Sequence, residues 1–303
     1  MRTVIQRIGV SVLGLAMLAV LLVYVVSTVR WNHDYQGFDV TAEQINIPSS
    51  ESAVLRGEHV ATIHYCAACH GADLSGGYLM DEPLLAVVPA PNLTAGVGGV
   101  GADNSAEDWV LAIRHGIGHD RRGLIGMPSR VWYHLSDNDL GDLIAYLKHL
   151  PPVDNQMPPR KIGPLFRLML TLGKAPPSQA MVIPHDASRP KAPPQEVSVA
   201  YGEYLAQSCM GCHGANLNGG TVRDLDGNLV VAHNLTPGGE IGGWSGDDFI
   251  KTLRTGVNPA GHELNEAMPW PYLGQMTDEE LQAVWLYLKS LPALEQSTDR
   301  TDL

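Results

Sequence analysis

The residues best placed to do chemistry fall in two pentapeptides, Cys66-Ala67-Ala68-Cys69-His70 and Cys209-Met210-Gly211-Cys212-His213. Each reads C-x-x-C-H, and together they use all four cysteines. Two thiols one helical turn apart can join the two vinyl groups on one edge of a haem, and the histidine that follows is placed to ligate the iron. The spacing therefore predicts two covalently bound haem c groups. Cys66, Cys69, Cys209 and Cys212 would hold them, with His70 and His213 as metal ligands. Three other uses of C-x-x-C fit less well. A thioredoxin-like redox pair wants a βαβ setting and no histidine. A zinc site wants further ligands that no third cysteine pair supplies. A disulfide across so short a loop constrains little chain.

The two motifs belong to a longer duplication. Gly57-Glu58-His59 leads to the first and Gly202-Glu203-Tyr204 to the second. Asn92-Leu93-Thr94 answers Asn234-Leu235-Thr236, starting 22 and 21 residues past His70 and His213. Arg114 answers Arg254, Met127-Pro128 answers Met268-Pro269, and Tyr146-Leu147-Lys148 answers Tyr287-Leu288-Lys289. Matching order over about ninety residues reads as one module written twice.

An iron held by one histidine needs a second axial group or an open site. Met80, Met127 and several histidines are candidates in the first copy; Met268, Met276, His233 and His262 are candidates in the second. Met127 and Met268 are favoured because they occupy the same place in the repeat, lie in a loop between capped helices, and are followed by proline. Met276 aligns with Leu135, where an apolar residue before a helix cap is expected. Thioether ligation would raise both potentials relative to bis-histidine ligation, as suits electron transfer. Arg114 and Arg254 could bind haem propionates through the guanidinium fork. Trp109 and Trp244 line haem crevices or merely fill a core. The role of Asn92 and Asn234, loop-forming or otherwise, stays open.

These side chains need helices to position them. A leading helix runs through Glu58 to Cys66, or Gly202 to Cys209. A second opens on Ser105 with Asp108, or Ser245 with Asp248, and carries Arg114 or Arg254. The last opens on Ser136 or Thr277, shows apolar residues at helical spacing (Leu140, Leu143, Ile144 and Leu147 in the first copy), and stops at Pro151 or Pro292. No stretch reads as a strand, so the expected fold class is all-α.

The chain has 303 residues, 45% of them hydrophobic, and a formal charge of −12, which argues against a nucleic-acid partner. Ile8 to Val29 carry no charge and span roughly 33 Å as a helix, enough to cross a hydrocarbon core of about 30 Å. With Arg2 and Arg7 before it, the run reads as an uncleaved signal-anchor, residues 1–30, that leaves everything downstream outside the cytoplasm. A cleaved signal is the alternative. The remaining organisation reads as a polar tether at 31–52, haem domains at 53–152 and 198–292, a Pro-rich linker at 153–197, and a tail at 293–303. Within the linker, apolar residues 162–170 among Arg160, Lys161, Arg167 and Lys174 suit a membrane surface or a partner subunit, or else a short helix packed across the two domains.

Each copy resembles a class I cytochrome c domain: Gly57 or Gly202 in a helix that crosses the terminal helix near Tyr146 or Tyr287, the C-x-x-C-H, and the distal Met-Pro. The expected architecture is thus two tandem class I cytochrome c domains after an amino-terminal transmembrane helix. With its N-L-T, L-R-x-G and A-M-P-W-P-Y-L signals, the pair resembles the membrane-anchored cytochrome c subunits of bacterial alcohol and gluconate dehydrogenases. That resemblance implies a relay of single electrons in the inner membrane, with haem domains on the periplasmic side. Its redox partners would be a dehydrogenase or quinol-oxidising complex and an oxidase or soluble cytochrome. A dihaem enzyme with an open, peroxidase-like site and a fixed subunit of a larger respiratory complex are the competing functions.

Overall fold

The computed structural model describes residues 2–175, 177–223 and 228–301. Helix α1 (Arg2–Tyr35) contains a largely exposed candidate span, Val10–Tyr35, within which an 18-residue window reaches a mean hydropathy of 2.6 with only 6% of that window buried. The side chains of Arg2 and Arg7, on which the orientation reading leans, lie outside the described residues, as do the last two residues of the tail.

The first helical unit begins with α2 (Glu51–Ile63) and the short α3 (Cys66–His70). It continues through α4 (Ala106–His115), α5 (Ser129–Trp132) and α6 (Asp137–His149). After α7 (Pro164–Thr171), the second repeats the order: α8 (Val199–Ala206), α9 (Met210–His213), α10 (Gly246–Thr255), α11 (Trp270–Leu273) and α12 (Asp278–Ser290). In each unit the leading and terminal helices cross at a glycine. A Cβ on Gly57 would lie 1.9 Å from the Asp142 carbonyl oxygen, and one on Gly202 would lie 1.9 Å from that of Ala283. Capping boxes at Ser105/Asp108, Ser245/Asp248 and Thr277/Glu280 open α4, α10 and α12. Left-handed Gly116 and Gly256 close α4 and α10.

An exclusively helical fold is not what forms. Strands β1 (Gly77–Glu82) and β2 (Ala86–Ala90) pair antiparallel, and β3 (Lys161–Ile162) adds to β2. In the second unit β4 (Gly220–Arg223) pairs with β5 (Leu229–Ala232) and with β6 (Arg300–Thr301). These strands escape a reading for alternation because they are short and irregular. The β1–β2 register slips at Leu79, just after Tyr78 pairs with Pro89, which has no N–H to donate.

The segment 31–52 is not a free tether. Phe38, Val40, Ala42, Ile45 and Ile47 pack onto the core of the first unit. The linker is likewise held: α7 lies along α1, burying Phe166 and Leu170 against Trp31 and Tyr35 rather than bridging the two units.

Candidate functional site

Each C-x-x-C-H forms a helical turn that ends at its histidine. The chain then leaves through a left-handed glycine, Gly71 at φ 81° or Gly214 at φ 79°. The following turns match: the N–H of Gly76 donates to the His70 carbonyl at 2.7 Å, and that of Gly219 to the His213 carbonyl at 2.9 Å. None of the four cysteines is in a disulfide. Desolvation pushes the Cys66 thiol up to about 12 and that of Cys209 to about 11, and raises Cys69 and Cys212 as well. Both histidines are buried, which holds their imidazoles below the ordinary value and favours the neutral ring that binds a metal. His70 Nδ1 sits 2.9 Å from the Pro91 carbonyl oxygen and His213 Nδ1 sits 2.7 Å from that of His233. A proton on Nδ1 aimed at a carbonyl leaves Nε2 as the nitrogen free to bind a metal in both copies.

Met127 and Met268 take the same turn. The N–H of Ser129 donates to the Met127 carbonyl at 2.9 Å and that of Trp270 to the Met268 carbonyl at 2.8 Å. Met127 is half-buried against the core that also receives Cys66 and Ala67; Met268 packs with Cys209 and Met210. The rival candidates sit differently. His233 and His262 are exposed, Met80 lies on the β1 hairpin, and Met276 is buried at 5% exposure, as expected of a residue before a helix cap.

Two buried donors in the first unit test the fit of a haem. The indole N–H groups of Trp109 and Trp132 are enclosed and have no acceptor. Leaving such a group unpaired costs about 1–3 kcal/mol. A porphyrin that brings carboxylates as well as apolar area would supply both an acceptor and the core filling. The donor set fits haem c: paired thiols for attachment, a neutral imidazole with its second nitrogen anchored, and a thioether in the same core.

Arg114 and Arg254 depart from the expected propionate contact. The Arg114 side chain is fully buried, donates to the Leu135 carbonyl at 2.8 Å, and pairs with Glu43 and with Asp137 at 3.0 Å, leaving its Nε without an acceptor. Arg254 donates to the Gly274 carbonyl and pairs with Asp278 at 2.8 Å. Asp137 and Asp278 are each the first residue of their terminal helix. The arginine therefore clamps the end of α4 or α10 to the start of the terminal helix, α6 or α12, in both copies. Around Glu43 the clamp widens, with His115 Nε2 at 2.8 Å and Arg189 at 3.4 Å. His115 also meets His185 at 2.8 Å between their Nδ1 atoms. Burial opposes ionisation of Glu43, but hydrogen bonds from His115 and Arg114 hold its carboxyl well below the usual range.

The asparagines acquire a definite part. Asn92 Nδ2 donates to the Val153 carbonyl at 2.7 Å while its Oδ1 accepts from the Thr94 N–H at 2.9 Å. Asn234 repeats this with the Leu294 carbonyl at 2.7 Å and the Thr236 N–H at 2.8 Å. Each clamp begins one residue after the carbonyl that receives the histidine Nδ1–H. The exact repetition of N-L-T was the signal for it.

The two motifs meet across one interface. Helix α5, which follows Met127, packs against α9 and the turn Gln207–Cys209; α11, which follows Met268, packs against α2. Tyr65, at φ 48°, stacks edge-on against Trp132 with ring centroids 5.8 Å apart. Its phenol is raised by burial and then by the thiols Cys212, Cys209, Cys66 and Cys69, so both motifs lie around it. His59 reaches Glu280 at 2.8 Å, and Tyr204 accepts from the Ser136 N–H at 2.9 Å.

The profile of the family described as "Cytochrome c" matches residues 54–151 and 199–292. A fructose dehydrogenase cytochrome subunit from Gluconobacter japonicus is 28% identical over 275 residues, covering 81% of this chain and 54% of that one. The cytochrome c subunit of an alcohol dehydrogenase (quinone) from Gluconobacter oxydans is 27% identical, covering 82% and 56%. A diheme cytochrome c-type protein from Cereibacter sphaeroides is 28% identical, covering 79% and 86%. The chain thus spans about half the length of the first two relatives and most of the third. With haem-attachment turns, anchored imidazoles and paired helices in both units, and a profile match over both, the chain belongs to the cytochrome c family, whose domains carry covalently bound haem c.

Proposed function

We propose that this chain is a membrane-tethered dihaem cytochrome that relays single electrons between a dehydrogenase or quinol-oxidising complex and an oxidase or soluble carrier. One observation carries the reading: the attachment turn, the anchored imidazole and the Met-Pro turn occur twice in the same order around a shared interface. Cys66 and Cys69 would hold one haem, with His70 and Met127 as iron ligands; Cys209 and Cys212 would hold the other, with His213 and Met268. Haem c, when bound, supplies a one-electron couple. The chain's own residues orient each imidazole through Nδ1, keep water from the crevice with the cores around Leu111 and Leu281, and fix the two units against each other. Helix α1 anchors the chain in the inner membrane, with both domains on the periplasmic side. The dehydrogenase partner follows from relatives named as cytochrome subunits of such enzymes.

Redox titration and optical spectroscopy of the matured protein test this. Expected are two haems by pyridine haemochrome, a methionine charge-transfer band, and a lowered potential at one haem in each of Met127→His and Met268→His. Fewer than two haems, or two bis-histidine-like potentials with no methionine band, would overturn it.

A further inference from the structure

The chain is acidic, yet residues 155–185 contain Arg160, Lys161, Arg167 and Lys174 and no carboxylate. This stretch folds against the outer end of α1 and makes a cleft lined by Trp31, Arg122, Arg160, Ile162, Arg167 and Leu170. Arg160 lies over the Trp31 ring at 5.2 Å and donates to the Gly123 carbonyl at 3.2 Å; Arg167 lies over the Tyr24 ring at 5.3 Å. Arg30 approaches the α7 end at Gly173. Among the described residues neither Arg30, Arg160 nor Arg167 has a carboxylate partner, and Asp120 engages Arg122 at 3.6 Å.

Depth and polarity agree. A hydrocarbon core of about 30 Å entered at Val10 is crossed in roughly 20 helical residues, which puts the headgroup level near Val29 and Trp31. Helix α7 lies at that level. It buries Phe166 and Leu170 against α1 and turns Leu165, Leu168 and Leu172, at 49%, 40% and 63% exposure, outward beside the equally exposed apolar surface of α1. Spacing of three and four residues puts these leucines on one stripe.

We propose that this cleft binds the phosphodiester headgroup of an anionic phospholipid, with the α7 leucines seated among its acyl chains. The idea rests on the anchor in the reading above. Guanidinium forks match phosphate oxygens in pairs, and unpaired cations at an interface seek that partner. A chain of charge −12 is otherwise repelled by an anionic bilayer, so the cleft supplies local attraction where the protein meets lipid.

The test is native mass spectrometry of the full-length, haem-loaded chain in neutral detergent, titrated with phosphatidylglycerol, phosphatidylcholine or inorganic phosphate. The parent should retain phosphatidylglycerol preferentially. Arg160→Gln should weaken retention roughly fivefold and Arg160→Gln with Arg167→Gln roughly thirtyfold. Replacing both arginines by lysine should recover most of the affinity, and Lys251→Gln, on exposed α10 surface, should bind as the parent does. Equal retention of the two lipids, parent-like binding by the double glutamine variant, or displacement by inorganic phosphate at lipid concentrations would overturn the proposal. Haem content is read from the same samples. Loss of lipid preference with haems in place defeats this site alone, whereas a chain without haem defeats the relay reading and leaves the lipid result standing.

Discussion

A buried guanidinium is stable only with its charge matched, and Arg114 shows how much one side chain can depend on another far along the sequence. Taking both ions from water costs several kcal/mol, which close pairing must offset. Glu43→Ala should therefore destabilise the first unit by about 3 kcal/mol, the low end for a broken buried pair because Asp137 stays in place. Denaturant unfolding followed by tryptophan fluorescence checks it. Because the folded Glu43 carboxyl lies far below its ordinary value of 4.5, its contribution is complete above about pH 4.5 and is lost only in stronger acid. Asn92→Ala and Asn234→Ala should each cost about 1–3 kcal/mol by leaving a buried carbonyl unpaired. They should also raise the potential of the haem in the same unit more than that of the other, read by spectroelectrochemistry, because the freed loop carries the carbonyl that accepts from the histidine Nδ1–H and makes the imidazole a stronger donor. The cysteines and histidines were legible because haem attachment demands them at fixed spacing. The partner that Arg114 takes in the fold was not legible, because a guanidinium suits carboxylates of any origin and Glu43 lies 71 residues away.

Helices α2 and α12 are joined by an ion pair that makes the contact between units sensitive to pH. The hydrogen bond that the His59 ring donates to Glu280 raises the pKa of His59 against a smaller opposing effect of burial. Burial opposes ionisation of Glu280, but the His59 contact and the Thr277 N–H hold its carboxyl below the ordinary value. A raised histidine stabilises fully below its unfolded value of 6.5 and loses that contribution as pH rises through the folded one; a lowered carboxylate does the reverse around 4.5. The pair is therefore strongest from about pH 4.5 to 6.5 and weakens toward alkaline pH. His64 and His134, buried nearby and held neutral by desolvation, lose stability as the solution turns acid. His59→Gln should flatten the alkaline limb of thermal stability between pH 6 and 8 by roughly 1 kcal/mol or less, since the imidazole is 34% exposed. The helices themselves were legible through their caps and apolar spacing. The strands were not, because strands of four to six residues carry too little alternation to detect, and the first hairpin adds a proline and a slipped register.

At the scale of the whole molecule, duplication was plain in the sequence, but the way the copies embrace was hidden. Surface complementarity between α5 and α9, or α11 and α2, leaves no periodic trace. The domain limits suggested by the repeat also omit parts that the first unit uses: Glu43 before it, and His185 and Arg189 after it. A chain cut after residue 152 should consequently melt well below the corresponding unit in the full protein, by an amount similar to Glu43→Ala or larger. A cut after residue 190 should restore most of the difference, and calorimetry of the two truncations checks this. The same clasp sets an order of events. On the topology proposed here, the anchor stays in the membrane and the residues just after it cross first, so those that close the first unit follow more than a hundred positions behind Cys66 and Cys69. Until His185 and Arg189 cross, that unit stays ajar, which gives the ligation machinery a window in which to reach both thiols before the crevice seals.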